Sequence, residues 1–187
     1  MSLIKDKLVI LLAGGESKRT STMKQLYKID GEFLINVQIK KLLSYGYDVA
    51  VILGHNFENI KNIIDSDVKI LKNENYKDGM FSSVKLACKE LDSKKYLFCH
   101  IDRPIADKEV FEVLLNVKTD VAVAFKDSKK APPIMINSTM KKDIEESSHS
   151  RLDHWVESNS SLSLVDVKDE KVHFNANTDS ELKRYFV

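Results

Sequence analysis

Short apolar runs alternate with longer amphipathic segments along the first two thirds of the chain. Short apolar runs without alternation are typical of parallel strands that are buried on both faces of a sheet. Five such runs occupy residues 7–12, 48–53, 68–71, 96–101 and 121–125. Between them, hydrophobic residues recur at helical spacing over residues 33–43, 60–64, 82–91 and 110–114. This order predicts a three-layer α/β/α fold with a mainly parallel, Rossmann-like sheet.

The pattern is less regular after residue 131, and it predicts a short antiparallel or edge elaboration of the sheet. We expect a strand at 134–136, helical structure in the 140s and 150s, an edge strand over 161–167 and a closing helix over 179–186. No shift in composition marks a second domain, so residues 1–187 are interpreted as a single domain.

The composition is that of an ordinary globular protein, with 43% hydrophobic and 30% charged residues among 187. The net charge of +1 provides no overall field for nucleic acid or a membrane surface, so an acidic ligand needs a local cluster. No apolar run approaches the roughly 20 residues of a membrane helix, and no secretory signal pattern is present, which favours a cytoplasmic protein. Cys88 and Cys99 lie in apolar stretches and are interpreted as core thiols.

The segment after the first predicted strand has the composition of a phosphate-binding loop. Leu12-Ala13 is followed by Gly14-Gly15, and two glycines let the backbone approach a ligand and direct N–H groups at phosphate oxygens. Ser17 adds a hydroxyl donor, while Arg19 and Lys24 add positive charge. A tight turn with solvated surface charges is the alternative. The loop lacks the Gly-Lys-Ser/Thr of a Walker loop and the three glycines of a dinucleotide fingerprint.

Other polar residues follow later strands, at the edge where ligands bind in open α/β sheets. Asp102 ends an apolar strand and is interpreted either as a Mg²⁺ ligand or as a cap for a helix starting near Asp107. Asn177 is the candidate second ligand, although it or Thr178 is also a candidate N-cap of the last helix.

Gly79 and Ser82-Ser83 open a predicted helix, whose N–H groups are suited to a phosphate or base oxygen; an ordinary serine cap is the alternative. The histidines near these strand ends are not expected to act as acids or bases. His55 is interpreted as a turn residue and His100 as a packed strand residue.

The pattern L-A-G-G-x-S-x-R…K over residues 12–24 resembles the signature loop of the MobA-like nucleotidyltransferases. The resemblance continues in the same order along the chain. Val51–His55 is similar to the second strand and turn of the family, and Asn75–Val84 to the segment that closes over the base and ribose in cytidylyltransferases. Asp102-Arg103-Pro104 resembles the Asp-x-Pro that supplies the metal carboxylate, and Asn175–Thr178 the late Asn-x-Asn-Thr motif.

This resemblance implies a nucleotide-diphospho-sugar transferase-like fold and a Mg²⁺-dependent transfer of a nucleoside monophosphate. The donor is CTP or GTP, and the acceptor is a phosphorylated small molecule, with a molybdopterin-type compound first. A sugar- or alditol-phosphate acceptor and a non-catalytic, regulatory nucleotide-binding module are the alternatives. The protein acts as a monomer or homodimer in this interpretation, without nucleic acid or membrane partners.

The resemblance also assigns roles to single residues. Arg19, Lys24 and Asp102 are the catalytic candidates, and Asp102 with Asn177 is the candidate Mg²⁺ site. The candidate nucleotide-binding residues are Leu12, Ala13, Gly14, Gly15, Ser17, Asn75, Gly79, Ser82 and Ser83.

Three positions depart from the family pattern. Thr20-Ser21 replaces the usual Met-Gly of the loop, Arg103 replaces a common glutamine, and residues 147–152 lack a Gly-Asp-x-Gly motif. Gly14 is similar to the guanylyl branch, whereas Gly79–Ser83 is similar to the cytidylyl branch. The base of the donor therefore stays open at the level of sequence.

Overall fold

A computed structural model describes residues 5–186. Its main sheet has seven strands in the order β5-β4-β1-β6-β8-β7-β9. The strands are β1 (Lys5–Ala13), β4 (Asp48–Leu53), β5 (Lys69–Lys72), β6 (Ser93–His100), β7 (Val121–Lys126), β8 (Lys129–Asn137) and β9 (Leu162–Asp166). Strand β8 runs antiparallel to both neighbours, and the other paired strands are parallel. The predicted mainly parallel sheet with an antiparallel elaboration is confirmed.

Helices cover both faces of this sheet. They are α1 (Leu34–Ser44), α2 (Phe57–Lys61), α3 (Met80–Glu90), α4 (Lys108–Leu115), α5 (Lys141–Glu146), α6 (Leu152–Ser158) and α7 (Asp179–Phe186). Alternate residues of β1 point to opposite sides. Val9 and Leu11 pack in a core with residues of α1, α2, α4 and α7, whereas Leu8 and Ile10 pack with residues of α3, α5 and α6. This arrangement is the predicted three-layer α/β/α architecture.

The apolar runs form strands because burial on both faces rewards a continuous apolar sequence. Val9, Ile10 and Leu11 have no exposed surface. Fully burying one such side chain stabilises the fold by about 1.5–3 kcal/mol relative to exposure, so this central strand is a rigid support for the loop that follows it.

Several predicted boundaries differ from the structure. Strand β8 is much longer than the predicted 134–136, and the helix expected over 60–64 ends at Lys61. The helical segment of the 140s and 150s is two helices, α5 and α6.

A two-stranded hairpin of β2 (Lys28–Ile29) and β3 (Glu32–Phe33) was not predicted. Its turn residues, Asp30 and Gly31, both have positive φ, and Asp-Gly is a strong hairpin signal in a sequence.

Cys88 and Cys99 are buried free thiols, as predicted. Burial raises the pKa of Cys88 to about 12 and raises the pKa of Cys99 further. Among residues 5–186, no helix has the length and apolar character required to cross a membrane.

Candidate active site

Three side chains from distant parts of the chain meet at the carboxyl edge of the sheet. The buried Lys24 Nζ lies 3.0 Å from Asp102 Oδ2 and 3.4 Å from Asn177 Oδ1. Arg19 Nη2 donates to the same Asn177 oxygen at 2.7 Å. Lys24 therefore contacts a carboxylate and an amide oxygen, and Arg19 contacts the same amide oxygen. We call Arg19, Lys24, Asp102 and Asn177 the Lys24 cluster.

The loop after β1 is held by its own polar groups. Gln25 is buried, and its Nε2 donates to the carbonyls of Ala13 at 2.6 Å and Gly15 at 3.3 Å. Ser17 has a φ of 55°, in the left-handed region, and its Oγ accepts a hydrogen bond from the Lys24 amide at 3.1 Å. Because Lys24 is buried, the alternative of a turn with only solvated charges does not describe this loop.

The two glycines of the loop have different surroundings. A Cβ atom built on Gly15 meets nothing within 4 Å, so the space beside this backbone is open. A Cβ on Gly14 would lie 3.3 Å from the Gly54 nitrogen, and the Gly14 carbonyl accepts from the His55 amide at 3.1 Å. Gly14 thus packs against the turn after β4, and Gly15 faces the cleft. The backbone contact at His55 agrees with its predicted place in a turn.

Asp102 follows β6 in a turn that is fixed from two sides. Gln38 of α1 is buried and donates through Nε2 to the carbonyls of Ile101 at 2.9 Å and Arg103 at 3.0 Å. The Asp102 carbonyl accepts from the Ala176 amide at 2.8 Å. The N-cap of α4 is Asp107, so Asp102 does not cap that helix.

Thr178, rather than Asn177, occupies the capping position of α7. Thr178 Oγ1 accepts from the Glu181 amide at 3.3 Å, and Glu181 Oε2 accepts from the Thr178 amide at 3.0 Å, which is a reciprocal capping box. Asp179, the first residue of α7, accepts from the Ser21 amide at 3.1 Å. The Asn177 side chain is therefore free to turn towards Lys24.

The segment from Asn73 to Ser83 forms a wall beside the loop. Asn73 is buried and donates through Nδ2 to Ser82 Oγ and Ser83 Oγ, both at 2.8 Å. Helix α3 begins at Met80 with Gly79 as its N-cap, at a φ of 96°. The alternative of an ordinary serine cap does not describe this helix start, because Ser82 Oγ contacts the carbonyls of Asn75 and Gly79.

Two connected clefts open along this edge, and they share Gly79, Met80, His100 and Asp102 in their lining. The first, of about 280 Å³, is called the loop cleft. Its lining includes eight of the predicted site residues, namely Leu12, Gly14, Gly15, Ser17, Lys24, Gly79, Ser83 and Asp102. The second, of about 550 Å³, is called the large cleft and extends over β8 and α6.

Five predicted site residues do not line the loop cleft. Arg19 and Asn177 join it through the Lys24 cluster. Ala13 is buried, and its carbonyl accepts a hydrogen bond from Gln25. Asn75 and Ser82 line a separate groove that is also lined by Asn73.

Burial lowers the pKa of two residues near Asp102, namely His100 and Arg103. Desolvation lowers the pKa of His100 to about 4, so its imidazole is neutral near pH 7. His100 ends β6 and lines both clefts, so it is not only the packed strand residue that the sequence predicts. Desolvation also lowers the pKa of Arg103, which keeps its charge, and Arg103 Nη1 donates to the Val172 carbonyl at 3.0 Å.

The oxygens of the Lys24 cluster have the chemistry of a magnesium site. Carboxylate and amide oxygens are hard ligands, and Mg²⁺ commonly takes one or two protein oxygens together with phosphate oxygens. The Lys24 ammonium already contacts both oxygens, so this position accepts positive charge. No group of three His, Cys, Asp or Glu side chains suited to a metal occurs among residues 5–186.

The sequence interpretation did not identify Gln25, Gln38 or Asn73, which hold the loops in place. A signal was present for Gln38, since it is a polar residue on the apolar stripe of α1 formed by Leu34, Ile35, Ile39 and Leu42. The pattern of one helix does not reveal that its partners are carbonyls more than 60 residues away.

The sequence profile of the MobA-like NTP transferase domain matches residues 9–162, which are most of the chain and contain Lys24 and Asp102. The chain belongs to this family. The family consists of nucleotidyltransferases, and the matched range extends from β1 into β9.

Two curated relatives illustrate the range of the family. The bifunctional protein GlmU of Campylobacter fetus is 30% identical over 122 residues, which are 63% of this chain and 28% of GlmU. The molybdenum cofactor cytidylyltransferase of Escherichia coli is 22% identical over 116 residues, which are 61% of this chain and 60% of that protein. This chain thus spans little more than a quarter of the first relative and three fifths of the second.

Solved structures share the fold at low sequence identity. A nucleotidyl transferase from Methanothermobacter superposes with a TM-score of 0.84 at 15% identity, covering 97% of this chain and 96% of that chain. Rv0371c from Mycobacterium tuberculosis, solved in complex with manganese, superposes with a TM-score of 0.77 at 14% identity, covering 97% and 98%. A divalent metal thus occurs in one protein of this fold.

Proposed function

We propose that this protein transfers a nucleoside monophosphate from CTP or GTP to a phosphorylated small molecule and releases pyrophosphate. The observation that carries the proposal is the Lys24 cluster, where a buried lysine contacts Asp102 and Asn177 at the junction of two clefts. The triphosphate would occupy the loop cleft and the acceptor the large cleft. Asp102 borders both, so the reacting groups would meet beside it.

The proposed reaction is an in-line displacement at phosphorus. An oxygen of the acceptor phosphate attacks the α-phosphorus and forms a new phosphorus–oxygen bond. The bond from the α-phosphorus to the bridging oxygen breaks, and pyrophosphate leaves with that electron pair. An acceptor phosphate is already ionised near pH 7, so the protein has only to position the two reactants and offset their negative charge.

Individual residues would divide these tasks. The open backbone at Gly15, with Gly14 and Ser17, would cradle the phosphates through N–H and hydroxyl donors. Lys24 would offset charge at the α-phosphate, and Arg19 would bind the departing pyrophosphate. Both cations are held by Asn177 Oδ1, so they are oriented before a ligand arrives.

Asp102 and Asn177 would hold Mg²⁺ with the triphosphate once the Lys24 ammonium exchanges its contacts with their oxygens for the α-phosphate. Bound there, Mg²⁺ would neutralise negative charge on the phosphate oxygens. The manganese in Rv0371c supports a divalent cation in this fold.

The first acceptor we propose is a molybdopterin-type compound, supported by the E. coli relative named molybdenum cofactor cytidylyltransferase. A sugar or alditol phosphate is the second candidate acceptor. A nucleotide-binding module without turnover is a further alternative, since residues 147–152 lack the Gly-Asp-x-Gly motif of many cytidylyltransferases.

The test has two stages. A thermal-shift screen of the four ribonucleoside triphosphates with Mg²⁺ identifies the donor, because a ligand of the native state raises its stability by mass action. Pyrophosphate release is then measured across acceptor phosphates with the preferred triphosphate. A raised melting temperature without pyrophosphate release from any acceptor would instead support the non-catalytic module.

The Asp102→Ala variant should lose turnover by about 100-fold or more, because it removes charge and a cation ligand at the reacting centre. The matched control is Asp67→Ala, which removes an exposed aspartate away from both clefts and should keep full turnover. Undiminished turnover in Asp102→Ala with an unchanged melting temperature would exclude Asp102 from the reaction.

A further inference from the structure

The charges that line the large cleft are paired, with one exception. Lys130 forms an ion pair with Glu157, and the Arg151 guanidinium binds both carboxylate oxygens of Asp153. Asp102 is paired with Lys24. Arg103 has no ion pair within 4.0 Å among residues 5–186, and its recorded side-chain hydrogen bond goes to the Val172 carbonyl.

A half-buried guanidinium without a counter-charge favours an anionic partner. Removing a charge from water is costly unless a counter-charge or hydrogen bonds replace the lost hydration. A guanidinium has five N–H donors in a planar arrangement that matches a phosphate or carboxylate, and one carbonyl satisfies few of them. Arg103 therefore has donors and charge left for a ligand of the large cleft.

Beside these charged residues, the lining has a polar part with His100, Ser150 and Asn175 and an apolar part. The apolar part consists of Met80, Val123, Ala131, Pro132, Ile134, Leu152 and Val156. Met80 lies between this cleft and the loop cleft and is 45% exposed, which is unusual for a large apolar side chain in this chain. A flexible methionine adapts to flat or irregular apolar ligands, so the part of the cleft beside Met80 suits the apolar body of a ligand.

We propose that the large cleft takes a phosphomonoester with an apolar ring or alkyl body, whose phosphate is bound by Arg103 and whose body packs on Met80. This inference rests on the proposed function, because it makes the bound phosphate the acceptor of the nucleotidyl group. It separates the candidate acceptors by the apolar surface that they offer. A hexose phosphate has hydroxyls around its whole ring, so it offers less apolar surface to Met80 and to the apolar part of the lining.

The inference is tested by binding, which does not require turnover. Benzyl phosphate, benzyl alcohol and glucose 1-phosphate are the probes, titrated by isothermal calorimetry and ligand-observed NMR. A non-hydrolysable α,β-methylene analogue of the preferred triphosphate and Mg²⁺ are present to fill the loop cleft. Benzyl phosphate should bind about tenfold or more tightly than either other probe, because only benzyl phosphate has both the charge and the apolar body.

Two variants test which residue binds the phosphate of benzyl phosphate and which residue binds its benzyl group. Arg103→Gln should weaken benzyl phosphate by about tenfold or more and leave benzyl alcohol unchanged. Met80→Ser should weaken benzyl phosphate and benzyl alcohol by the same factor and leave glucose 1-phosphate unchanged. Lys142→Gln, which removes an exposed lysine of α5 outside the cleft, is the charge control and should change nothing. If Arg103→Gln has a lowered melting temperature, Arg103→Lys replaces it and should retain part of the affinity for benzyl phosphate.

Several results would overturn the inference: equal affinity for glucose 1-phosphate and benzyl phosphate, no saturable benzyl phosphate binding, or unchanged benzyl phosphate affinity in a folded Arg103→Gln. Failure of the proposed function is seen separately. Saturable benzyl phosphate binding at Arg103 with no pyrophosphate released from any acceptor would contradict transfer and leave the ligand class in place.

Discussion

Two buried glutamine amides fix the backbone on either side of the Lys24–Asp102 contact. Gln25 binds two carbonyls of the loop that carries Lys24, and Gln38 binds the carbonyls that flank Asp102. Each amide nitrogen donates to two backbone carbonyls. The positions of the charged groups therefore depend on uncharged neighbours that would not contact the substrate.

Replacing Gln38 by leucine should leave the Ile101 and Arg103 carbonyls without this donor, at a cost of about 1–3 kcal/mol in the free energy of unfolding. The turn that carries Asp102 would then be less restrained, so more Mg²⁺ should be needed for half-maximal turnover. Urea unfolding and a Mg²⁺ titration of pyrophosphate release measure the two effects. Asn36→Leu is the matched control, because Asn36 is also a buried amide of α1 but donates to the Ile63 carbonyl. Equal Mg²⁺ requirements in the two variants would limit Gln38 to a role in stability.

The sequence was sufficient to predict that Lys24 and Asp102 approach one another. Both follow buried strands, and the carboxyl ends of parallel strands meet at one edge of a sheet. The sequence was not sufficient to predict the roles of Gln25 and Gln38. A single amide side chain gives the same sequence pattern whether it binds a distant carbonyl or water. Nor did the sequence decide between Asn177 and Thr178 as the cap, which depended on Glu181 Oε2 reaching back to the Thr178 amide.

At the scale of elements, the loop after β1 and the turn after β4 are in close contact. A Cβ atom on Gly54 would lie 2.5 Å from the Tyr76 Cβ and 2.7 Å from the Gly14 carbonyl oxygen. No side chain fits at that distance without movement of the backbone of one loop. Gly54 thus sets the separation between the strand ends that form the floor of the loop cleft.

Gly54→Ala should therefore cost about 1–3 kcal/mol of stability and weaken triphosphate binding, since the clash displaces Gly14 or Tyr76. Gly15→Ala is the paired variant, because its new methyl group meets no protein atom within 4 Å. It should keep the stability of the parent protein and lose affinity for triphosphate by obstructing the open backbone. Urea unfolding and calorimetric titration check both expectations. Full triphosphate affinity in Gly15→Ala would place the phosphates elsewhere.

The order of strands was less predictable than their existence. The apolar periodicity identified β1, β4, β5, β6 and β7, but the antiparallel β8 lies between β6 and β7 and contains Pro132-Pro133 at its middle. Proline is rare within central strands, because it has no N–H to donate, so a pattern interrupted by two prolines predicts only the shorter strand after them. The additional residues of β8 contribute Lys130, Ala131 and Pro132 to the large cleft.

Across the whole molecule, residues near both ends of the described chain close one site. Ser21 is bound to Asp179, Arg19 to Asn177, and the Asp102 carbonyl to the Ala176 amide. The loop after β1 and the segment before α7 are therefore mechanically connected, although 158 residues separate the members of the first two contacts.

Triphosphate with Mg²⁺ should consequently slow amide hydrogen exchange over residues 14–24 and over residues 175–179 together. Hydrogen–deuterium exchange read by mass spectrometry measures this directly, with the edge strand β9 as the internal control that should not change. Amide hydrogens exchange when a segment opens locally. Slower exchange in residues 14–24 and 175–179 together would therefore indicate that the two segments open as one unit. Protection confined to residues 14–24 would contradict a ligand-linked role for Asn177.

The wide spacing within the Lys24 cluster also concerns how the protein is made. A ribosome releases Arg19, Lys24 and Asp102 long before Asn177, so the ion pair of Lys24 can form on a nascent chain that still lacks its amide partner. Asn177 and Asp179 then attach to a loop that was synthesised more than 150 residues earlier. The last contacts of the candidate site are thus added long after its first loop has been synthesised, and a chain that stalls before residue 177 has the lysine and the carboxylate without the group that orients Arg19.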